Sequence, residues 1–241
     1  MTTLLIDGDI VAYHASAACE QPIHWGDGLW TLHAFESEVV AKVEETIKKL
    51  LEETGAEKYA VPISHKVNFR KSVASYYKAN RTDVRKPFLL EYAKQYIMDN
   101  HNGMKWENLE ADDVLGILTS SSDEYLCFSQ DKDLETIPGR HWIGGEEVTI
   151  TELEADYKFF TQTLTGDVTD NYKGCPKIGA VTAAKILAEA KDADEMWKLV
   201  VHTFYKAGLG QEVALENARL ARILRDGEYQ LTTGEVKLWT P

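Results

Sequence analysis

Acidic residues are grouped along this 241-residue chain with spacings that could support metal chemistry. The densest group is Glu110, Asp112 and Asp113, which comes directly before the apolar pair Val114 and Leu115. On a helix, residues 110 and 113 share a face, and carboxylates this close repel one another unless a cation lies between them. The alternative is an ordinary helix start, where acids in the first turn complement the helix dipole. This stretch alone leaves both interpretations open.

Five further acids follow predicted strands or a predicted helix. Asp7 follows a short apolar strand, and Asp131 and Asp133 follow another, where residues two apart point the same way. Asp167 and Asp170 are three apart and follow a predicted helix. Ligands of open α/β sheets gather at the carboxyl ends of the strands, so these positions favour one shared site. For the Asp-Gly motif at residue 7, a plain turn is the alternative.

Eight carboxylates are a donor set for hard cations. Mg²⁺ and Mn²⁺ take oxygen ligands and keep several waters. Two such ions about 4 Å apart can clamp the attacking and leaving oxygens of a phosphodiester. The histidines and cysteines lack zinc-ligand spacing, and the sequence contains no Walker loop. The pattern therefore favours magnesium or manganese over zinc, and it argues against a nucleotide-driven motor.

A basic segment lies between His65 and Lys86, where Asp83 is the only acid. Aromatic residues are interleaved with its seven cations, a mixture that suits phosphates and bases. The cations are Lys66, Arg70, Lys71, Lys78, Arg81, Arg85 and Lys86. An ordinary solvated basic face is the alternative. A second candidate is the glycine-bounded loop 173–179 before a predicted helix, which could bind a DNA phosphate or be a plain connection.

The overall composition limits the possible functions. The formal net charge of −13 argues against a general polyanion binder but not against a nuclease with a local acidic site. Hydrophobic residues make up 44%, which is enough for a substantial core. The three cysteines predict reduced thiols in a cytoplasmic protein. We see no signal peptide and no run of about 18 apolar residues, so we expect no membrane segment.

Hydrophobic periodicity predicts alternating strands and helices, and so an α/β fold. The main predicted strands cover residues 4–6, 59–63, 125–129 and 148–150, with shorter candidates at 29–32 and 236–239. The predicted helices cover residues 10–25, 36–54, 87–99, 152–164, 180–190 and 217–225. Gly55 is expected to cap the second of these helices.

Six segments in this order resemble the 5′→3′ exonuclease / flap endonuclease family, most closely the replicative exonucleases of podovirus-type phages. They are IDGDIVAYHASAACE, VNFRKSVASYYKANRTDVRKP, LEADDVLGIL, SQDKDLETIP, TGDVTDNYKGCPKIGAVTAAKIL and ARILRDGEYQ with VKLWTP. The resemblance implies a PIN-like 5′-nuclease core with a mainly parallel central sheet in residues 1–150. It also implies a helical arch at about 66–105. A helix–three-turn–helix region and a return to the core are implied for residues 151–241.

The resemblance also implies roles for individual residues. It implies two bound divalent cations, Mg²⁺ or Mn²⁺. The ligands of the first metal site would be Asp7, Glu110, Asp112 and Asp113. The remaining ligands would be Asp131, Asp133, Asp167 and Asp170, of which the last two are shared with the second site. Lys78 and Arg81 would engage the scissile phosphate. DNA contacts are expected at Arg70, Lys71, Tyr77, Lys173, Gly174, Lys177, Gly179 and Lys185, with a monovalent cation at the 173–179 hairpin.

The chain departs from the family pattern in three respects. Ser64 and His65 stand where an Asp is common, so one outer ligand is absent unless His65 replaces it. Lys177 occupies a usual Gly position, and Val181 a common Lys position; Lys177 and Lys185 could compensate. The chain is also shorter than many relatives, so fewer accessory duplex contacts are expected.

These features together predict a divalent-metal-dependent 5′→3′ exonuclease acting on duplex DNA in phage replication. We also expect cleavage of 5′ flaps and RNA primers on RNA/DNA hybrids, 5′-phosphorylated products, and a monomer in the host cytoplasm. One alternative is a non-catalytic DNA-binding module of the same fold, which predicts eroded acids. The other is a PIN-type ribonuclease, which needs fewer acids and no duplex-binding hairpin.

Overall fold

The computed structural model describes residues 2–81 and 84–241. Residues 82–83 of the predicted arch, which include Asp83, the acid of the basic segment, lie outside the described residues. The strands are β1 (Thr3–Ile6), β2 (Gln21–His24), β3 (Trp30–His33), β4 (Lys58–Pro62), β5 (Gly103–Met104), β6 (Tyr125–Phe128), β7 (Gly139–Ile143), β8 (Glu146–Ile150), β9 (Tyr229–Gln230) and β10 (Glu235–Val236). The helices are α1 (Gly8–Ala18), α2 (Glu36–Thr54), α3 (Arg70–Val73), α4 (Leu90–Asn100), α5 (Ala111–Ser121), α6 (Glu152–Thr165), α7 (Ala180–Leu187), α8 (Ala193–Lys206) and α9 (Gln211–Ala221). Short 3₁₀ turns cover Ala79–Arg81 and Lys132–Thr136.

Six strands form the central sheet in the order β5-β4-β1-β6-β7-β8. Every neighbouring pair is parallel except β7 and β8. β1 lies in the middle, and its residues Leu4, Leu5 and Ile6 are fully buried because helices cover both faces. The carboxyl ends of β4, β1 and β6 meet at one edge, which brings Ser64, Asp7 and Ser129 together there.

Helices α1, α2 and α4 pack on one face of the sheet, against Leu4 and Ile6 of β1. Leu5 points to the other face, where it packs with Leu115 of α5. Helices α6 to α9 have an apolar core of their own, built around Phe159, Phe160 and other buried side chains. The carboxyl edge of the sheet faces the α6–α7 connection, since residues 167–170 of this connection line the same cleft as Asp7.

Several boundaries differ from the sequence-based predictions. Segment 10–25 was predicted as a helix that runs into a loop with Pro22; the helix ends at Ala18, and Pro22 lies on strand β2 of the hairpin that follows instead of in a loop. The tail helix is Gln211–Ala221 rather than 217–225, and α8 was not among the predicted elements. α2 ends as predicted, at Gly55 in the left-handed conformation (φ 64°).

Across the described residues, no helix combines the length and the apolar character needed to cross a membrane.

Candidate active site

A cleft of about 740 Å³ lies at the carboxyl edge of the sheet. Seven of the eight predicted acids line it: Asp7, Glu110, Asp112, Asp131, Asp133, Asp167 and Asp170. Asp9, which was not among the predicted ligands, lines it too. The repeated order of apolar strand followed by carboxylate therefore converges on one place, as the topology requires.

Asp7 occupies the point where β1 ends and α1 begins. One carboxylate oxygen accepts a hydrogen bond from the backbone N–H of Ile10 (3.1 Å), and the other accepts one from the Ser129 hydroxyl (2.8 Å). The residue is only 2% exposed. Burial, together with the nearby charges of Asp9 and Asp131, raises the pKa of Asp7 to about 6. Asp7 is thus fixed in position while its negative charge remains poorly compensated.

Asp112 and Asp133 are in a similar electrostatic situation. Burial and the charges of Asp7 and Glu110 raise the pKa of Asp112 well above its ordinary value. Burial and the charge of Asp131 raise the pKa of Asp133 to about 6. Three carboxyl groups in one cleft therefore resist ionisation, because burial and the neighbouring carboxylates outweigh the nearby cations.

Glu110 is surrounded by donors instead. It accepts hydrogen bonds from the ammonium of Lys78, from Arg70 (3.2 Å) and from the Tyr77 hydroxyl (3.1 Å). Burial would raise its pKa, but the charges of Lys78 and Arg70 outweigh burial and lower the pKa of Glu110 to about 2. It also begins α5 as part of a reciprocal capping arrangement with Asp113. The helix-start interpretation and the site interpretation are therefore both correct for this stretch.

Asp113 and Arg70 are placed differently from the sequence expectation. Asp113 is fully buried (0% exposed) and does not line the cleft; its two oxygens accept from the Arg70 guanidinium at 2.7 and 2.8 Å. Arg70 also donates to the carbonyls of Leu220 and Arg222. Spacing puts residues 110 and 113 on one side of α5, but the first faces the cleft and the second faces the interior. Arg70 lies at the cleft wall, but it is 3% exposed and its guanidinium is bonded to internal acceptors.

Asp167 and Asp170 lie on the loop between α6 and α7. The loop is folded on itself, since Asp167 accepts from the backbone N–H of Thr169 (2.6 Å). Asp170 accepts from the Tyr77 hydroxyl (2.7 Å) and from Arg81, and its carbonyl accepts from the N–H of Lys78 (2.9 Å). The segment 77–81 is thereby attached to the far wall of the cleft. Lys78 itself has a left-handed backbone (φ 55°).

The donor set fits hard divalent cations. All the candidate ligands are carboxylates, and several of them have raised pKa values that a bound cation would relieve. Over residues 2–81 and 84–241, no three His, Cys, Asp or Glu side chains are already drawn together in a metal-coordinating arrangement. Side-chain cations occupy part of the set instead, since Lys78 and Arg81 contact Glu110 and Asp170.

Ser64 lies at the cleft, and His65 does not. The Ser64 hydroxyl lies at the cleft but accepts from the N–H of Ala111 (2.9 Å), while its own N–H points to Asp9 (3.4 Å). His65 does not line the cleft, and its Nδ1 accepts from the N–H of Asn108 (3.1 Å). The expectation that His65 replaces the missing Asp therefore has no support in this geometry.

The 173–179 loop contains both internal and external positions. Gly174 is buried, and its N–H donates to Asn217 (3.0 Å), so this N–H is not available to a phosphate. The predicted contacts that lie on the surface are Lys71, Lys173, Lys177, Gly179 and Lys185. The polar residues Ser129, Gln162 and Asn217, which support the site, were not predicted from the sequence because isolated Ser, Gln and Asn carry no pattern. For Asp9, the signal was present in the Asp7-Gly8-Asp9 motif.

Comparisons with known proteins agree with this geometry. Residues 2–163 match the family model of the 5′-3′ exonuclease N-terminal resolvase-like domain. The chain is 28% identical to an exodeoxyribonuclease of Enterobacteria phage T3, over 99% of this chain and 92% of the relative. It is 27% identical to an exonuclease of Escherichia phage T7, over 99% and 93%.

The fold is similar to that of the T5 D15 protein, in a crystal structure obtained by co-crystallisation with metal ions. The TM-score is 0.66 at 16% identity, covering 92% of this chain and 89% of that one. The predicted α/β nuclease fold with a mainly parallel central sheet is therefore confirmed.

Proposed function

The chain belongs to the 5′-3′ exonuclease family and is a hydrolase of the phage exonuclease and flap endonuclease type, and from this premise we propose that it degrades duplex DNA with two divalent cations in the cleft. Its products carry 5′ phosphates. Its substrates include 5′ flaps and the RNA strand of RNA/DNA hybrids during phage DNA replication. It acts as a monomer.

One observation carries the proposal: seven carboxylates converge in one cleft, and three of them have raised pKa values. We assign Asp7, Glu110 and Asp112 to one Mg²⁺ or Mn²⁺ ion. Asp131, Asp133, Asp167 and Asp170 complete the set. When bound, such ions stabilise the negative charge that develops on the phosphoryl oxygens. The remaining chemistry belongs to the side chains around them.

Lys78 and Arg81 bind and orient the scissile phosphate in this proposal. Both lie at the cleft and contact carboxylates assigned to the ions. Once those carboxylates are neutralised otherwise, the ammonium and the guanidinium are free to bind phosphate oxygens. The guanidinium offers a planar, bidentate donor geometry and the ammonium a compact charge. The single hydroxyl proton of Tyr77 is shared between Asp170 (2.7 Å) and Glu110 (3.1 Å), which holds the two carboxylates near each other.

Arg70 and Asp113 act as positioning residues in this proposal, because the Arg70 guanidinium, although at the cleft wall, is bonded to Asp113 and to two backbone carbonyls, and Asp113 does not line the cleft. We propose a nuclease core in residues 1–150, with an arch at about 66–105, and a duplex-binding region in residues 151–241. In that region Lys173, Lys177, Gly179 and Lys185 contact the duplex backbone, and Lys71 contacts it from the core. A monovalent cation binds at the 173–179 hairpin.

The test uses the purified chain with a duplex labelled at the 5′ end of one strand or at its 3′ end. With Mg²⁺, the 5′ label is expected to be released first as short 5′-phosphorylated products, and with EDTA neither label is released. Release of the 3′ label first, or equal cleavage in EDTA, contradicts the proposal. Binding of the duplex without cleavage at any Mg²⁺ or Mn²⁺ concentration would instead support a non-catalytic module.

A further inference from the structure

The β2–β3 hairpin, residues 21–33, projects from the core and is not explained by the cleft chemistry. None of its residues is buried. Trp25 and Trp30 are each 61% exposed, and Leu29 between them is also exposed. Large exposed apolar side chains gathered on one small element are uncommon on a surface that binds nothing. A two-stranded hairpin also gains little stability by itself, so burial does not account for these residues.

The rings of the hairpin are held in fixed positions. Trp30 stacks on His24, its cross-strand partner, with ring centroids 4.4 Å apart and an interplanar angle of 24°. The Trp25 indole N–H donates to the Thr31 hydroxyl (2.7 Å), which also bonds His33 (2.9 Å). Rings that are already ordered lose little entropy when a flat ligand stacks on them. The hairpin therefore presents pre-arranged aromatic faces to the solvent.

The hairpin is joined to both the cleft and the basic segment. It follows α1, which begins at Asp7 and carries Tyr13 and His14 on the cleft wall. Glu20, at the base of the hairpin, accepts two hydrogen bonds from Arg85 (2.7 Å each) and one from the N–H of Phe88 (2.7 Å). The Phe88 ring is strongly exposed. One exposed ring, Tyr13, thus lies at the cleft, and another, Phe88, lies at the base of the hairpin.

The charge of the hairpin distinguishes between possible ligands. Residues 21–33 contain no Lys or Arg and include one acid, Asp27. Such a surface does not neutralise the phosphates of either a duplex or a single strand, so a nucleic acid can contact it only through base faces, which paired bases hide inside the duplex. Unpaired bases expose their faces, and every base stacks on an aromatic ring irrespective of its identity. The bonds between Glu20, at the base of the hairpin, and Arg85 of the basic segment favour this ligand over an unrelated protein.

We propose that the β2–β3 hairpin is a stacking site for unpaired bases of a single-stranded arm that extends from the duplex. The proposal rests on the proposed function, because it takes the duplex in the cleft as the source of that arm. The hairpin then distinguishes duplexes with an unpaired arm from blunt duplexes. Its role is in binding and positioning, away from the reacting atoms.

The test measures equilibrium binding in EDTA, so that no hydrolysis is required. The probes are a blunt fluorescent duplex and the same duplex with an oligothymidylate arm on the 5′ or the 3′ end. The wild type is expected to bind one armed duplex about tenfold more tightly than the blunt one, since stacking contributes about 1–3 kcal/mol per base. Trp25→Leu/Trp30→Leu is expected to lose this preference, while Trp25→Phe/Trp30→Phe keeps most of it. Leu29→Ala, in the same loop, is the matched control.

A second measurement does not depend on the folding of a variant. Arms carrying 5-iodouracil are irradiated on the wild-type protein, and crosslinks are expected within residues 21–33. Crosslinks confined to other segments, or an unchanged arm preference in Trp25→Leu/Trp30→Leu, overturn the proposal. Cleavage of the blunt duplex by this variant should equal that of the wild type. A chain that binds arms through the hairpin but cleaves nothing would contradict the proposed function and leave the hairpin proposal intact.

Discussion

The guanidinium of Arg70 and the carboxylate of Asp113 form a buried, two-point ion pair, with nitrogen–oxygen distances of 2.7 and 2.8 Å. The same guanidinium donates to the carbonyls of Leu220 and Arg222 at the end of α9. Asp113 in turn accepts from the N–H of Leu224 (3.2 Å). The pair therefore joins three separate parts of the chain directly behind the cleft. It fixes the first turn of α5, from which Glu110 and Asp112 reach the site.

Loss of one member of this pair should destabilise the fold. Asp113→Asn leaves the buried Arg70 charge with only its longer contact to Glu110 (3.2 Å), and breaking a buried pair in this way typically costs about 3–5 kcal/mol. The free energy of unfolding, measured in urea, should fall by this amount. Glu45→Gln is the control, because its ion pair with Lys42 is exposed and screened by solvent, so its loss should leave the free energy of unfolding nearly unchanged. Equal stability of Asp113→Asn and wild type would contradict the positioning role.

The metal-free protein should gain stability from Asp112→Asn. Burial raises the pKa of Asp112, so its ionisation at neutral pH lowers the free energy of unfolding. Each tenfold decrease in the acid dissociation constant on folding corresponds to ~1.4 kcal/mol. The folded state binds the proton more tightly than the unfolded state, so stability decreases as pH rises above the unfolded value of 3.8. In EDTA at pH 8, the melting temperature of the variant should exceed that of the wild type by at least ~2 °C.

The difference in melting temperature between Asp112→Asn and wild type should vanish below pH 3.8, where this carboxyl is protonated in the folded and the unfolded state alike. Added Mg²⁺ should raise the melting temperature of the wild type more than that of the variant. A variant that is less stable than wild type in EDTA at pH 8 would show that charge repulsion is not the dominant effect at this position.

Lys78→Ala should affect turnover much more than binding. Its ammonium contacts the assigned ligands Glu110 and Asp170. In the proposed mechanism, negative charge develops on the phosphoryl oxygens next to these ligands. Removal of one such donor typically lowers kcat by about 10²–10³-fold. The dissociation constant for duplex DNA should change by less than about tenfold, as expected for one of many phosphate contacts. Lys71 is an exposed cation of the same segment, and Lys71→Ala should weaken duplex binding while leaving kcat nearly unchanged. Equal losses of turnover and affinity in Lys78→Ala would mean that Lys78 only positions DNA.

The two glycines of the 173–179 loop should respond differently to substitution. In Gly174→Ala, the new Cβ would lie 2.3 Å from the N of Gly166 at a φ of +62°, so the fold should lose stability. Gly179 has open space around it, so Gly179→Ala should leave the stability of the fold unchanged. The same variant should bind the duplex more weakly, because the added methyl group would stand between the DNA backbone and the loop. Urea unfolding and duplex binding distinguish the two. A stable Gly174→Ala variant, or a Gly179→Ala variant with wild-type affinity, would contradict this division.

The sequence predicted the sheet and the convergence of the acids because both follow from local patterns. Apolar runs of strand length preceded Asp7 and Asp131, and parallel topology brings such ends together. The sequence could not distinguish Asp113 from Glu110, because helical spacing places both on one side and only tertiary packing with Arg70 determines which one is buried. Spacing likewise gave no indication that Gly174 faces inward toward Asn217. The β2 strand was missed because its exposed side chains give no buried face.

Replacement of Asp131 and Asp133 by Asn is the most direct test of the metal-dependent cleft. Both line the site, and Asn keeps their shape and capping oxygens while removing two charges. Glu57→Gln, an exposed acid at the opposite edge of the sheet, is the matched control. On 5′-labelled duplex with saturating Mg²⁺, we expect the double variant to lose about a thousandfold in rate, as for removal of essential charge stabilisation, and the control to lose nothing. Full activity of the Asp131→Asn/Asp133→Asn variant would contradict the assignment of this cleft as the catalytic metal site.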